Sequence, residues 1–112
     1  MALLRVARLF AAYNPAATGS TLFYTCPPGH RAILRSMDLA TVTAVTTRSI
    51  QVSLYTAAED VYLFCNAILT ADTPVKEWRG HLVLNEGDAI FSQSGDVGFW
   101  ATGSGALMPL SN

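Results

Sequence analysis

The chain has 112 residues, which is enough for one compact domain and too few for two. Hydrophobic residues make up 51% of it, which excludes a disordered tail, and the net charge of −1 leaves no basic field for a nucleic-acid partner. Charged residues make up only 13%, about half of the usual share of roughly 25%, so we expect neighbouring molecules to cover part of the surface.

The N-terminal segment, residues 1–13, is predicted to be an arm or an edge strand. Its apolar residues need cover, while Arg5 and Arg8 oppose deep burial on both faces. The spacing of Leu3, Val6 and Phe10 also fits one face of a helix, so the element type stays open. Residues 14–112 are predicted to form a single β-sandwich domain.

Short stretches rich in apolar, β-branched and aromatic residues recur along the rest of the chain. They predict strands, because branched side chains lose rotamer freedom in a helix. The predicted strands are residues 21–25, 31–45, 49–54, 61–65, 75–84, 89–93 and 97–102. Ile50, Val52 and Leu54 alternate with polar residues and predict a half-buried strand. The run at 61–65 is continuously apolar, and we expect it to be covered on both faces.

Turn signals separate these strands. Pro28 and Gly29 suit the two central positions of a type II turn. Residues 85–88, Asn-Glu-Gly-Asp, predict a hairpin turn with Gly87 in the left-handed region. Residues 94–96 predict another turn, and the Gly-Ser-Gly at 103–105 is expected to loosen the chain after the last strand. Seven or eight strands with turns about every ten residues indicate an all-β fold, an antiparallel sandwich or a small barrel.

The sequence carries no recognisable metal-binding pattern. The candidate ligands are isolated in the chain, whereas a zinc site usually shows at least one local pair. These ligands are His30, His81, Cys26 and Cys65. Cys26 and His30 also suggest a Cys/His pair, but the Pro-Pro-Gly turn between them explains both residues more simply. We predict no metal and no cofactor.

Catalytic patterns are equally weak. The close carboxylate pairs, Glu59-Asp60 and Glu86-x-Asp88, lie in predicted turns, where acidic residues cap or solvate the chain. A general acid needs burial against apolar walls, which a hairpin tip does not offer. The Gly-Ser-Gly at 103–105 lacks the G-x-S-x-G spacing of a nucleophile elbow. We therefore predict no catalytic residue and no enzyme.

Aromatic side chains remain as candidates for a binding surface. Rings that stack on sugars could be supplied by Trp78, Trp100, Phe99, Tyr55 and Tyr62. A small sandwich also needs such bulk to fill its core. Phe99 and Trp100 lie on opposite sides of the pleat, so one of the two rings should point away from the core. Because Trp is enriched at binding hot spots, we take Trp78, Phe99 and Trp100 as candidate interface residues.

The compartment follows from the cysteines and the hydropathy pattern. Cys26 and Cys65 form neither a disulfide framework nor a C-x-x-C pair, and we interpret both as buried free thiols of a reducing compartment. Arg5 and Arg8 interrupt the N-terminal apolar stretch, which argues against a secretory signal. The charge-free run at 9–30 is broken by three prolines and is too polar for a transmembrane helix. We expect a soluble protein made in a cytoplasm, with no membrane partner.

Two segments resemble small virion structural proteins of tailed bacteriophages. Proteins of that group open with a segment in which Leu-Tyr-Thr-x-Pro-Ala-Gly-Lys/Arg leads into a long strand. This opening is similar to residues 14–18, Asn-Pro-Ala-Ala-Thr, and 21–30, Thr-Leu-Phe-Tyr-Thr-Cys-Pro-Pro-Gly-His. Residues 81–90, His-Leu-Val-Leu-Asn-Glu-Gly-Asp-Ala-Ile, are similar to its Val-Leu-x-x-Gly-Asp-x-Ile hairpin. Pro28 departs from the group, which usually has alanine there.

The resemblance implies an antiparallel β-sandwich of jelly-roll type with no enzymatic role. It implies a multimeric capsid decoration or head-associated protein on the virion exterior, made in the host cytoplasm, which stabilises the assembled particle that it binds. Its partners would be further copies, in a homotrimer, and the major capsid protein or other virion proteins. Low charge fits this role, since buried interfaces are depleted in charge. The alternative is a tail, neck or collar component, including a receptor- or glycan-binding adhesion module.

Overall fold

The computed structural model describes residues 5–14, 20–41, 47–70, 75–94 and 99–110. Within these ranges the chain forms eight β-strands, and the N-terminal segment, whose type the sequence left open, contributes the first of them. The strands are β1 (Arg5–Asn14), β2 (Ser20–Thr25), β3 (His30–Thr41), β4 (Thr47–Tyr55), β5 (Val61–Thr70), β6 (Val75–Leu84), β7 (Ala89–Ser94) and β8 (Phe99–Pro109).

The strands form two antiparallel sheets of four that pack as a sandwich. Sheet A has the order β1-β8-β3-β6, and sheet B has the order β2-β7-β4-β5. The chain changes sheet at every connection except the β4–β5 hairpin, so β1 pairs with β8, β2 with β7 and β3 with β6. This nested pairing is the jelly-roll arrangement. The predicted all-β, jelly-roll sandwich is confirmed.

The core lies between the sheets and follows from the period-two alternation of the strands. Ile50, Val52 and Leu54 point inward from β4, as predicted, and each is buried. Aromatic rings fill the space between the sheets: the Phe23 ring lies edge-on to Phe99 at 5.9 Å between centroids and stacks on Phe10 at 5.8 Å. Each such side chain stabilises the fold by about 1.5–3 kcal/mol through burial.

Gly103 and Gly105 lie within a central strand. The expectation that residues 103–105 loosen the chain is therefore wrong. β8 runs through Gly103 and Gly105 to Pro109, between β1 and β3. A Cβ atom at Gly103 would overlap the Phe10 ring, and one at Gly105 would overlap the Ile33 carbonyl oxygen. Glycine is therefore needed here for close packing of a strand and not for flexibility.

The expectation that residues 61–65 are covered on both faces is also wrong. β5 is an edge strand of sheet B, and the exposed fractions of Val61, Tyr62 and Leu63 are 54%, 55% and 54%. No residue of the described ranges covers these three side chains. The strand continues to Thr70, beyond its predicted end, with Cys65 and the alternate residues after it buried.

The connection at residues 85–88 is not a hairpin, because β6 belongs to sheet A and β7 to sheet B. Gly87 does adopt the predicted left-handed conformation, with φ of 86°. The turn at Pro28 and Gly29 is confirmed: the His30 N–H donates to the Pro27 carbonyl at 3.2 Å, and Gly29 has φ of 75°. The turn predicted at 94–96 falls largely outside the described residues.

Substitution of Gly105 should test the close approach of β8 to β3. Gly105→Ala forces a methyl group against the Ile33 backbone, and we expect a loss of about 3 kcal/mol or failure to fold. The measurement is the free energy of urea unfolding. Ser104→Ala, on the other face of the strand, is the control and should change it by less than about 0.5 kcal/mol. Equal stabilities of the two variants would contradict the packing described.

Candidate interaction surfaces

The three predicted interface residues lie in different environments. Phe99 is fully buried in the core, and Trp100 points away from it with 49% of its surface exposed. Of this pair only Trp100 is therefore accessible. The choice of Phe99 as a candidate interface residue was wrong, because inward-facing side chains of a central strand fill the core. Trp78 is half-buried; its ring lies edge-on to Phe64 at 5.2 Å and bridges β6 and β5 across the two sheets. The structure does not bring the three together.

A buried carboxylate organises the loop at residues 85–88. Asp88 is only 6% exposed, so the interpretation of this carboxylate as solvated is wrong. Its Oδ1 accepts a hydrogen bond from the Ala57 N–H at 3.0 Å, and its Oδ2 accepts one from the Asn85 N–H at 2.9 Å. The sequence could not show this burial, because Ala57 is 31 residues away along the chain.

Backbone hydrogen bonds tie the same loop to residues 26–29. The Cys26 N–H donates to the Asp88 carbonyl at 2.8 Å, and the Gly87 N–H donates to the Cys26 carbonyl at 3.0 Å. Glu86 Oε2 accepts from the Gly29 N–H at 2.7 Å. Residues 26–29, 56–60 and 85–88 thus form one hydrogen-bonded group, the loop cluster. Its carboxylates satisfy backbone N–H groups that would otherwise lack partners.

Both cysteines are free and buried, as predicted. Burial raises the pKa of the Cys26 thiol, and the carboxylates of Asp88 and Glu86 raise it further. Burial also raises the pKa of the Cys65 thiol. A protonated, shielded thiol is a poor nucleophile.

Cys26 and His30 do not meet through their side chains. The Cys26 Sγ donates to the His30 backbone carbonyl at 3.4 Å, and His30 Nδ1 lies 3.0 Å from the Pro28 carbonyl oxygen. Over the part of the chain that the structure describes, no group of three or more histidine, cysteine or acidic side chains could hold a metal ion. The same ranges contain no helix that is long and apolar enough to cross a membrane.

An apolar groove that the sequence did not predict lies on the outer face of sheet B. The groove has a volume of about 420 Å³. Its lining residues are Leu22, Tyr55, Val61, Ala89, Phe91 and Gln93. The rings of Tyr55 and Phe91 meet edge-to-face at 6.2 Å between centroids, and Leu22 and Val61 are 62% and 54% exposed. The nearest signal in the sequence was the continuously apolar run at 61–65, which we expected to be covered on both faces.

Charged residues are divided unequally between the two sheets. The strands of sheet B contain one, Arg48. The strands of sheet A contain eight, namely Arg5, Arg8, Arg31, Arg35, Asp38, Lys76, Glu77 and Arg79. Arg79 and Glu77 form an ion pair on β6. One outer face of the sandwich is therefore charged and well hydrated, and the other is not.

Comparisons with known proteins identify the fold. No family model matches the chain, and no curated protein matches its sequence. Among solved structures, a chain in the acid-stable capsid of Helicobacter pylori bacteriophage KHP30 matches with a TM-score of 0.63 and 12% identity, over 99% of this chain and 95% of that one. At such identity the likeness shows the fold alone.

Two further structures share this fold. The Drosophila NLP core, described in terms of pentamer formation and histone binding, matches with a TM-score of 0.55 and 13% identity, over 88% of this chain and 97% of that one. A chain of the infectious bursal disease virus Gx strain matches with a TM-score of 0.56 and 9% identity, over 99% of this chain but only 33% of that one. The chain thus belongs to a class of jelly-roll domains that occurs in viral particles and elsewhere.

Loss of the Asp88 carboxylate should destabilise the fold. In Asp88→Asn one acceptor oxygen is replaced by an NH₂ group that faces a backbone N–H, and we expect a loss of about 2 kcal/mol in the free energy of urea unfolding. Glu86→Gln is the control, because an amide oxygen can still accept from Gly29 at this exposed site. If Asp88→Asn is as stable as the native protein, Asp88 does not organise the loops.

Stability should fall as the pH rises above the ordinary thiol value of 9.0. The unfolded thiols then release protons that the folded protein retains, so that unfolding becomes more favourable. The measurement is urea unfolding at about pH 7 and about pH 9.5. The double variant Cys26→Ala, Cys65→Ala should lose less stability over this interval. An equal loss in both proteins would show that the thiols do not cause it.

Proposed function

We propose that this protein is a non-enzymatic structural protein of a tailed-phage virion. Its specific role would be that of a multimeric capsid decoration or head-associated protein, which lies on the exterior of the particle and stabilises the assembled shell. The observation that carries the proposal is the fold match to the phage KHP30 capsid chain, which extends over nearly the whole of both chains.

The extent of the match differs between the two viral structures. The KHP30 match covers 95% of its chain, so that chain has nearly the same size as this one. In the infectious bursal disease virus the same fold is about one-third of a longer chain. In the KHP30 structure the fold therefore makes up nearly a whole chain, and this supports proposing a subunit role.

The surface composition supports assembly. The chain has only 13% charged residues, and the outer face of sheet B carries an apolar groove. Buried protein interfaces are depleted in charge in the same way. A protein that binds only the assembled shell stabilises it by mass action, because disassembly must also release the bound copies. Self-association as a homotrimer would multiply the contacts that each unit makes with the shell.

The alternative role, a tail, neck or collar component with glycan-binding activity, has less support. Trp78 packs against Phe64 on the core side of sheet A, whereas Trp100 lies on the outer side of that sheet. The two indole rings do not form one platform on which a sugar could stack. Tyr55 and Phe91 in the groove meet edge-to-face, so they offer no pair of parallel rings.

Copy number per particle separates these roles. Quantitative mass spectrometry of purified virions should give a simple fraction of the major capsid protein count if the chain decorates the head. A handful of copies would instead indicate a tail, neck or collar position. Absence from the particles would contradict the virion role altogether.

A further inference from the structure

The outward side chains of sheet B form rows across its four strands. Leu22 of β2 lies opposite Phe91 of β7, and Tyr55 of β4 lies opposite Val61 of β5. Leu63 lies next to Val61 on the same face, opposite Ser53. The half of the face that adjoins the loop cluster is therefore mostly apolar, with Ser53 and Thr25 as its polar members, and the groove runs through it. Contiguous apolar patches of this kind mark interaction sites on soluble proteins.

The next row is made of amides. Gln93 pairs with Gln51, and Gln51 pairs with Asn66, so three carboxamide side chains follow one another across β7, β4 and β5. All three are exposed. Each carboxamide carries both hydrogen-bond donors and acceptors, so one row can pair with an identical row. Ionised side chains cannot do this, because like charges repel each other.

The free edge of β5 lacks the features that protect edge strands. Charged residues and prolines usually prevent an edge from pairing with another molecule. β6, the edge strand of sheet A beside it, carries Lys76, Glu77 and Arg79, whereas β5 has no charged residue and no proline over its 10 residues. Ile68, on the outer face of β5, is 63% exposed. The uncharged surface therefore extends to the edge of the sheet.

We infer that the outer face of sheet B is the surface through which copies of this chain bind one another, with sheet B facing sheet B. The distribution of charge indicates which surface binds this face. The outer face of sheet A carries exposed charges such as Arg8, Arg31 and Asp38, and burying them against an uncharged face would cost their hydration without a partner. The described outward side chains of the same face in another copy carry no charge, and they match apolar rows with apolar rows and amides with amides.

The size of the face fits this role. Four strands about 4.8 Å apart, of 6 to 10 residues each, give a face of roughly 400–600 Å² in projection. The accessible area of a corrugated face exceeds its projection. A standard stable interface buries roughly 800 Å² on each partner, so most of the face would be covered. This inference rests on the multimeric role proposed above. A face that binds the same face of another copy makes a two-fold contact, so it pairs copies and is distinct from the contact that would close a homotrimer.

A matched pair of lysine variants tests the surface. Val61 begins β5 on sheet B and is 54% exposed, and Val75 begins β6 on sheet A and is 58% exposed. Sedimentation velocity of the full chain should show a multimer at roughly 100 µM, which is well above the micromolar Kd of a weak specific interface. Val61→Lys should weaken association at least about tenfold, and Val75→Lys should leave it unchanged. Circular dichroism confirms that each variant is folded.

Three results would overturn the inference: a native protein that is monomeric at that concentration, a Val61→Lys protein that associates normally, or equal weakening by Val75→Lys. If Val61→Lys does not fold, Gln51→Lys, at an exposed position in the centre of the face, replaces it. A monomeric chain that is nevertheless found in virions would refute the sheet B contact and leave the proposed function standing. A multimer that is absent from virions would refute the proposed function and leave the sheet B contact standing.

Discussion

The fold depends on one buried carboxylate. Asp88 accepts hydrogen bonds from Ala57 and Asn85, and its own carbonyl accepts one from Cys26. These contacts join the β2–β3 and β6–β7 connections, at which the chain changes sheet, to the β4–β5 hairpin. A jelly roll changes sheet at almost every connection, so its strands cannot pair with their neighbours in sequence. Long-range hydrogen bonds between the loops fix two of these crossings, β2–β3 and β6–β7.

With the crossings fixed, the alternation of each strand determines two outer faces of opposite character. The face of sheet A carries charged side chains that hydrate the protein, and the edge strand β6 is protected by Lys76 and Glu77. The face of sheet B carries apolar rows, a row of amides and an unprotected edge at β5. The few charged residues of the strands thus lie mainly on sheet A. We propose that copies bind one another through the uncharged face.

Local patterns were sufficient for the elements that depend on local rules. The alternation at Ile50, Val52 and Leu54 predicted β4, and the pair Pro28 and Gly29 predicted the turn between β2 and β3. The pleat showed that one of two adjacent aromatic rings points outward but not which one. The exposure of β5, the burial of Asp88 and the packing of Gly105 depend on which strands become neighbours, and a single sequence does not reveal that. The groove on sheet B was missed for the same reason.

A cryo-electron microscopy reconstruction of virions that contain this chain tests the account most directly. We expect the protein on the outside of the head, in multimers whose sheet B faces lie against one another, with Tyr55 and Gln51 buried between copies. Sheet A, with its arginines, should face solvent or the shell. A map in which the sheet B face is open to solvent, or in which the protein is absent from the head, would contradict the account.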